Sequence, residues 1–457
     1  MTAADVARVV GGAVEGNAAV RLLGAEVDSR RLEGGDLFVA LPGDRRDGHE
    51  FVDAALKIAA AALVGRDADL EAPPAERALV RVDDPLSAYH ELAGHERRER
   101  AWRVAAITGS VGKTTTKDFL AALLAQHHRI GASGGNRTNT LGLPAEILSQ
   151  EPDIEVFVAE AGMSTPGELM ILGEILRPQL LLYTRIGPVH TEFFPDLAGI
   201  VRAKAELLPW LDDDGTLVIN ADDPNQNGYP AETGARVIRY GGKGSEARLE
   251  DVEDRGLLGC RFRLILPDGE AAVELALAGR HQAENLLAAA AAASAFGVRA
   301  EQVAETAPLL TAPEHRGRVI TVGDGISLVD DSYNASPLAV RRLLELLARA
   351  PGRRVAVLGE MYELGDRAED AHRGAGAEAA AACDLLVAVG GTNAGLIADG
   401  AREAGLRDDS VHLVEDADRA AELLRRVLRP EDVVLVKGSR GVGLDRTVAA
   451  LAGEEAN

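Results

Sequence analysis

Seven residues, Gly109-Ser110-Val111-Gly112-Lys113-Thr114-Thr115, constrain this chain more than any other stretch of it. They follow Trp102-Arg103-Val104-Ala105-Ala106-Ile107-Thr108, an apolar run of the kind that forms a strand buried on both faces. They precede Lys117-Asp118-Phe119-Leu120-Ala121-Ala122-Leu123-Leu124, where apolar residues recur at helical spacing. A glycine-rich turn between strand and helix aims its backbone N–H groups and the helix N-terminus at one place, and that place suits a triphosphate. Gly109 and Gly112 permit the turn, Lys113 can reach the β- and γ-phosphates, and Thr114 can offer its hydroxyl to magnesium. The spacing is Gly-x-x-Gly-Lys-Thr; the longer form of the motif would need glycine where Ile107 stands.

A loop of this kind belongs to an α/β architecture, and 457 residues are too many for one core. Residues 1–100 read as a small N-terminal α/β domain, with a β-like run at Asp36-Leu37-Phe38-Val39-Ala40-Leu41, a polar turn over 42–49 and an alanine-rich helix. Residues 101–312 alternate apolar runs (Val156 to Ala159, Leu180 to Tyr183, Leu217 to Ile219) with helical stretches, as a mostly parallel sheet with crossover helices would. This is the central, P-loop mononucleotide-binding domain. After the turn-rich Thr311 to Arg318, residues 313–457 carry strands at Ser327 to Val329, Val355 to Leu358 and Val433 to Val436, which fits a third, Rossmann-like domain. The alanine run 288–293 reads as helix.

Charge and composition exclude several classes. A net charge of −23 with no basic block repels a phosphodiester backbone, so nucleic acid is not an expected partner. No apolar stretch is long enough to span a bilayer, and the first residues resemble no secretory signal. With only Cys260 and Cys383 available for pairing, the expected location is a reducing cytoplasm. Lysine is confined to positions 57, 113, 117, 204, 243 and 437, while arginine is abundant. Where lysine persists in motif-like surroundings, as at Lys113, Lys204 and Lys437, a compact primary amine that a guanidinium cannot replace is a reasonable expectation.

Other single residues carry less alone. Glu160 ends an apolar run, where a strand tip presents a carboxylate toward bound phosphates; a solvated strand-end carboxylate is the competing reading. His190 and Lys204 are equally plain in isolation. They gain meaning from their company. Thr108 to Thr115, Glu160, Gly187-Pro188-Val189-His190, Ala203-Lys204-Ala205-Glu206, Asn220-Ala221-Asp222-Asp223 and Gly279-Arg280-His281-Gln282-Ala283-Glu284-Asn285 occur in an order that resembles the Mur ligase family over essentially the whole chain. Asp330 to Pro337, Leu358 to Gly365 with His372, and Val436 to Arg440 resemble the branch of that family that accepts D-alanyl-D-alanine.

The resemblance implies ATP-dependent joining of D-alanyl-D-alanine to UDP-N-acetylmuramoyl-tripeptide through an acyl phosphate, by a chain expected to act as a monomer. It implies two Mg2+ ions, one held by Thr114 and Glu160, the other by His190 and a carbamylated Lys204; Lys113, Lys204, Glu160 and His190 would form the catalytic set. Alongside Gly109 to Thr115, it places His281 and Asn285 beside adenine, Asp331 on the ribose, and Arg318, preferred over Arg316, near the phosphates. It gives Ser29, Arg30, Asp47, Gly48 and His49 to the uridine nucleotide, Asn136 and Asn139 to the sugar-peptide, and Tyr333 and Asn334 to substrate. Thr138 and Arg185 depart from residues common in the family. Asp366 and Glu369 read as a charged loop. The competing functions are a relative with another acceptor, a P-loop kinase or ATPase, and a silent nucleotide-binding subunit.

Overall fold

The computed structural model describes residues 1–43, 46–135 and 137–453. Three α/β units follow one another, each built on its own sheet. The first contains β1 (Ala13–Gly16), β2 (Gly24–Glu26), β3 (Asp36–Val39), β4 (Ala61–Gly65) and β5 (Ala78–Val82), in the order β1-β5-β4-β3-β2. Only the β1–β5 pair is antiparallel. Its last helix, Pro85–Glu99, begins where Asp84 caps the Leu86 N–H and proline takes the first turn.

The central sheet comprises β6 (Arg103–Thr108), β7 (Ile130–Ala132), β8 (Val156–Glu160), β9 (Leu180–Tyr183), β10 (Thr216–Asn220), β11 (Arg236–Gly241), β12 (Ala247–Asp254), β13 (Cys260–Leu266) and β14 (Gly269–Leu275). Its order is β14-β13-β12-β11-β10-β9-β6-β8-β7. The strands from β7 to β12 pair in parallel. The β12-β13-β14 end is an antiparallel meander that the sequence reading did not anticipate. Helix Arg280–Ser294 packs on this sheet beside helix Lys113–Leu124, and Ala288 to Ala293 are all buried, so the alanine run is a helix enclosed on every side.

The third sheet holds β15 (Arg318–Val322), β16 (Ile326–Asp330), β17 (Arg354–Gly359), β18 (Leu385–Val389), β19 (Val411–Val414) and β20 (Val433–Lys437), in the order β15-β16-β20-β17-β18-β19. It is parallel except for the β15–β16 hairpin. Six strands thus stand where the sequence suggested three.

The strand orders fix where ligands can bind. From β6 the chain builds β7 and β8 on one side and β9 onward on the other, so β6 is a topological switch point with a crevice at its carboxyl end. In the third sheet, β18 and β19 lie on one side of β17 and β20 on the other, which makes a second switch point at the ends of β17 and β20.

The two junctions between units differ. The first unit shares one hydrophobic core with the central one, running from Ala3 to Ala235. Arg97 locks that junction by donating to Leu176 O at 2.6 Å and Arg177 O at 2.8 Å, the last carbonyls of helix Glu168–Leu176. The junction with the third unit is largely polar: Thr191 Oγ1 donates to Leu364 O at 2.8 Å, Arg342 pairs with Glu284 at 3.1 Å, and Arg349 pairs with Asp254 at 2.8 Å. A polar junction of this kind leaves relative motion as the default.

Candidate active site

The loop after β6 takes the form its glycines require. Gly109 has φ +146° and Gly112 φ +85°, and a Cβ on Gly112 would meet Asn285 Oδ1 at 2.5 Å. Helix Lys113–Leu124 starts at Gly112 with no side-chain cap, which leaves its first N–H groups for a ligand. The loop is held from below: Ser110 Oγ donates to Gly187 O at 2.8 Å and accepts from Gly187 N at 2.9 Å, and Ser110 N donates to Arg185 O at 2.8 Å. The Arg185 contact uses only backbone, so the unusual side chain there does not disturb it.

Thr114 Oγ1 donates to Glu160 Oε2 at 2.7 Å, joining the helix start to the tip of β8. Among the described residues Lys113 makes only a long contact, 3.5 Å to Ser110 O, and desolvation lowers its pKa, with Glu160 opposing and Arg316 reinforcing the shift. Lys204 lies on helix Leu197–Ala205 and is 1% exposed. Its amine meets no hydrogen-bond acceptor among the described residues. Burial holds its pKa well below the usual lysine range, Lys113 pushing further down and Glu160 pulling up. His190 adopts φ +54° and pairs through Nδ1 with Glu363, itself at φ +61°. Two non-glycine residues in left-handed backbone, one from each side of the polar junction, meet in one contact. Such strain, of order 1–3 kcal/mol per residue, persists where surrounding structure enforces it, commonly at sites of function.

From the third unit, Asp331 is held by Lys437, whose Nζ also donates to Asn334 O at 2.8 Å. Tyr333 carries two guanidinium groups against its ring, Arg316 at 4.0 Å and Arg440 at 5.2 Å from the centroid. Lys113, Thr114, Glu160, His190, Glu363, Asp331, Tyr333, Asn334, Lys437 and the two guanidinium groups line one cleft of about 510 Å³ between the two switch points, whereas Gly109, Arg185, Gly187 and the buried Lys204 stand behind its wall.

Family models match the chain in three consecutive pieces: the Mur ligase family catalytic domain over residues 23–97, the Mur ligase middle domain over 107–293, and the Mur ligase glutamate ligase domain over 315–440. A UDP-N-acetylmuramoyl-tripeptide--D-alanyl-D-alanine ligase of Bacillus subtilis is 34% identical, over 94% of this chain and 93% of its own. The chain belongs to the Mur ligase family. Solved structures similar to this Mur ligase include MurF from Acinetobacter baumannii, at TM-score 0.88 and 28% identity over 99% of both chains. Another is the MurF ligase of Thermotoga maritima in complex with ADP, at TM-score 0.81 and 28% identity over 95% of this chain and 98% of that one.

Not every expected site residue of the Mur ligase reaches the cleft. Ser110 to Thr115, Asn139, Glu160, His190, His281, Asn285, Asp331, Tyr333 and Asn334 do. Asn136 lies outside the described residues. Arg318 opens β15 in register with Asp330, is exposed and does not line the cleft; Arg316, two residues earlier, does. Of the two arginines, the structure thus places Arg316, not Arg318, at the cleft. Asn285 stands against Gly112 of the phosphate loop, whereas His281 is close enough to Asp331 and Lys437 to feel both charges. Burial, the main cause, lowers the His281 pKa to about 4.

Asp47, Gly48 and His49 form a separate spot on the first unit. His49 Nε2 accepts from Gly65 N at 2.9 Å while Nδ1 lies 2.6 Å from Asp47 Oδ1, so the imidazole bridges two backbone segments. Arg30 is exposed and forks onto Asp28 beside Ser29. Asp366 and Glu369 are exposed and outside the cleft lining. Sequence reading held Glu363 and Arg440 only as members of the stretches Leu358 to Gly365 and Val436 to Arg440, without a role, and missed the partnership of Lys437 with Asp331. The Lys437 signal was present in the scarcity of lysine; Glu363 was marked only by its place in the Leu358 to Gly365 stretch.

Proposed function

We propose that this Mur ligase joins the amine of D-alanyl-D-alanine to the terminal carboxylate of UDP-N-acetylmuramoyl-tripeptide, releasing ADP and phosphate, as a step in building the peptidoglycan precursor. The full-length likeness to ligases of that name supports the substrates. The observation that carries the chemistry is the cleft itself: an uncapped helix start, Lys113 and the Thr114–Glu160 pair on one wall, and Asp331, Tyr333 and Asn334 on the other.

A carboxylate resists attack by an amine, and phosphorylation converts one of its oxygens into a leaving group. Loop N–H groups and Lys113 hold the transferring phosphoryl group, with Arg316 as the second cation and Asn285 beside the loop. Among the described residues no three His, Cys, Asp or Glu side chains stand together as metal ligands. The expected donors are instead a hydroxyl, a carboxylate, an imidazole and a modified amine, and the arrangement fits them. Thr114 and Glu160 already converge, and among the described residues His190 engages Glu363 through Nδ1 and leaves Nε2 without a partner, while Lys204 is a buried amine with no acceptor. A low pKa favours the neutral form of Lys204, the form that reacts with carbon dioxide to give a carbamate. Magnesium bound there would neutralise charge on the phosphates and the developing leaving group.

His281 and Asp331 take the adenosine. The first unit, within residues 1–100, takes the uridine nucleotide through the segments around Ser29, Arg30, Asp47, Gly48 and His49, with Asn139 and Asn136 toward the sugar-peptide; residues 101–312 carry the phosphate machinery and 313–457 the acceptor side. The phosphate loop, Glu160, Asp331 and Tyr333 lie on the same chain, and we take the monomer as the acting form. Abundant ATP and two buried, unbridged cysteines favour the cytoplasm, and no described helix is long and apolar enough to cross a membrane.

Phosphate release from ATP, measured with each substrate alone and with both, tests the reading. Turnover that requires both supports the ligase; equal release with neither identifies an ATPase and overturns it.

A further inference from the structure

The cleft contains four carboxylates, and each is already engaged. Glu160 accepts from Thr114, Asp331 from Lys437, and Glu363 pairs with His190. Glu168 accepts from the Thr165 hydroxyl at 2.7 Å and the Ser164 N–H at 3.1 Å. Of the cleft's lysines and arginines, Lys437 and Arg342 have acidic partners, at Asp331 and Glu284. Lys113, Arg316 and Arg440 have none among the described residues. In a chain of net charge −23, where most arginines find a carboxylate, three unpaired cations around one cavity are an arrangement built for anions.

The three divide by position. Burial is the main cause that depresses the Lys113 ammonium and Arg316 adds to it from nearby, which places these two together at the phosphate loop and the β6 switch point. Arg440 lies past the end of β20, at the other switch point, where the loops after β16, β17 and β20 converge. Its guanidinium rests near the Tyr333 ring, and the Tyr362 ring packs over the neighbouring Gly441. Two guanidinium groups on one tyrosine repel each other until an anion enters between or beside them.

Resting on the ligase reading above, we propose that Arg440 receives the terminal carboxylate of the acceptor dipeptide, fixing D-alanyl-D-alanine with its amine directed away from the β20 loop and toward the phosphate side of the cleft. The dipeptide is short enough, at roughly 7 Å extended, for its two ends to be sensed separately. A guanidinium fork matches a carboxylate in two parallel hydrogen bonds, whereas a C-terminal amide offers one oxygen and repels with its own N–H donors. Arg440 therefore makes the enzyme selective for a free C-terminus.

The test compares D-alanyl-D-alanine with D-alanyl-D-alaninamide as acceptors for the wild type, Arg440→Ala and Arg440→Lys. The wild type is expected to prefer the free acid by about 10- to 100-fold in kcat/KM, the range of one charge-assisted pair. Arg440→Ala is expected to bring the two acceptors within about threefold, by raising KM for the free acid, with KM for ATP and UDP-N-acetylmuramoyl-tripeptide nearly unchanged; Arg440→Lys falls between. Because Arg440 is exposed and donates no hydrogen bond among the described residues, its variants should keep the wild-type melting temperature. An undiminished preference in Arg440→Ala, no preference in the wild type, or a rise in KM for ATP alone each overturns this assignment and leaves the ligase intact. Phosphate release by the wild type without either acceptor overturns the ligase reading beneath it.

Discussion

Lys204 of the central unit is 1% exposed and Lys437 of the third unit 3% exposed, and their surroundings are opposite. Lys437 is saturated, paired with Asp331 and donating to Asn334 O. Lys117, equally buried at 5%, is treated the same way, donating to Ser133 O at 2.6 Å and pairing with Asp118 at 2.7 Å. Lys204 has no such acceptor among the described residues. A buried amine without a partner costs stability, and folding alone gives no reason to keep one. On the proposed reading, the contrast separates a lysine that holds another residue in place from a lysine kept for its reactivity.

Replacing Lys204 gives the largest expected effect. Lys204→Met should lower kcat/KM on the order of 10³-fold, as loss of a principal electrostatic group does. In bicarbonate-free buffer it should also raise the melting temperature of the central unit by about 2–4 °C, because an apolar side chain of similar length removes the unpaired amine. Phosphate-release kinetics and calorimetry read the two effects. Short carboxylic acids should restore part of the activity of Lys204→Ala by standing in for the carbamate. A lower melting temperature in Lys204→Met would show that the amine is satisfied, and the contrast with Lys437 would collapse.

Lys437→Met should act in the other direction. Losing the cation leaves Asp331 without its partner, and removing one member of a well-buried pair costs about 2–3 kcal/mol, seen as a lower denaturant midpoint for the third unit. KM for ATP should rise with it, since Asp331 is no longer oriented. An unchanged midpoint would make the pair dispensable and reduce Lys437 to an incidental contact.

The sequence made one side of the contrast visible and hid the other for physical reasons. The phosphate loop, Glu160 and the helix of Ala288 to Ala293 are local patterns, and each appears where its periodicity indicated. The scarcity of lysine singled out Lys204 and the family resemblance implied its role; its burial and its lack of a partner among the described residues are properties of the folded chain. The His190–Glu363 and Asp331–Lys437 contacts join residues 173 and 106 positions apart, a separation at which no spacing rule operates. The β12–β14 meander was obscured because its exposed face alternates Arg and Glu, as in Arg261, Arg263, Glu270 and Glu274, and reads as polar loop. β18 escaped notice for the opposite reason: Leu385 to Val389 continues from the alanine-rich helix Ala368–Ala382 with only a short break. The choice between Arg316 and Arg318 turned on backbone. His315 at φ +58° and Gly317 at φ +80° bracket Arg316, and that turn presents it to the cleft while Arg318 enters the hairpin.

The smallest expected effect tests whether the Lys437–Asp331 pair reaches across to the central unit. Burial, which disfavours the imidazolium, is the main cause that lowers the His281 pKa to about 4; Asp331 raises it, while Arg342 and Lys437 lower it further. The unfolded chain binds this proton at about pH 6.5. Between that value and about 4 the unfolded state therefore holds more protons than the folded one, and the stability present above pH 6.5 is lost progressively as pH falls through the window. His281→Gln should flatten the melting-temperature profile over that range while matching the wild type at pH 7.5. Lys437→Met removes a cation that opposes protonation and leaves the carboxylate that favours it, so the His281 midpoint, followed by the ring C–H resonance, should move upward from about 4. A midpoint that stays in place would mean that the pair and the histidine are insulated from each other, and that the two walls of the cleft communicate only through bound nucleotide.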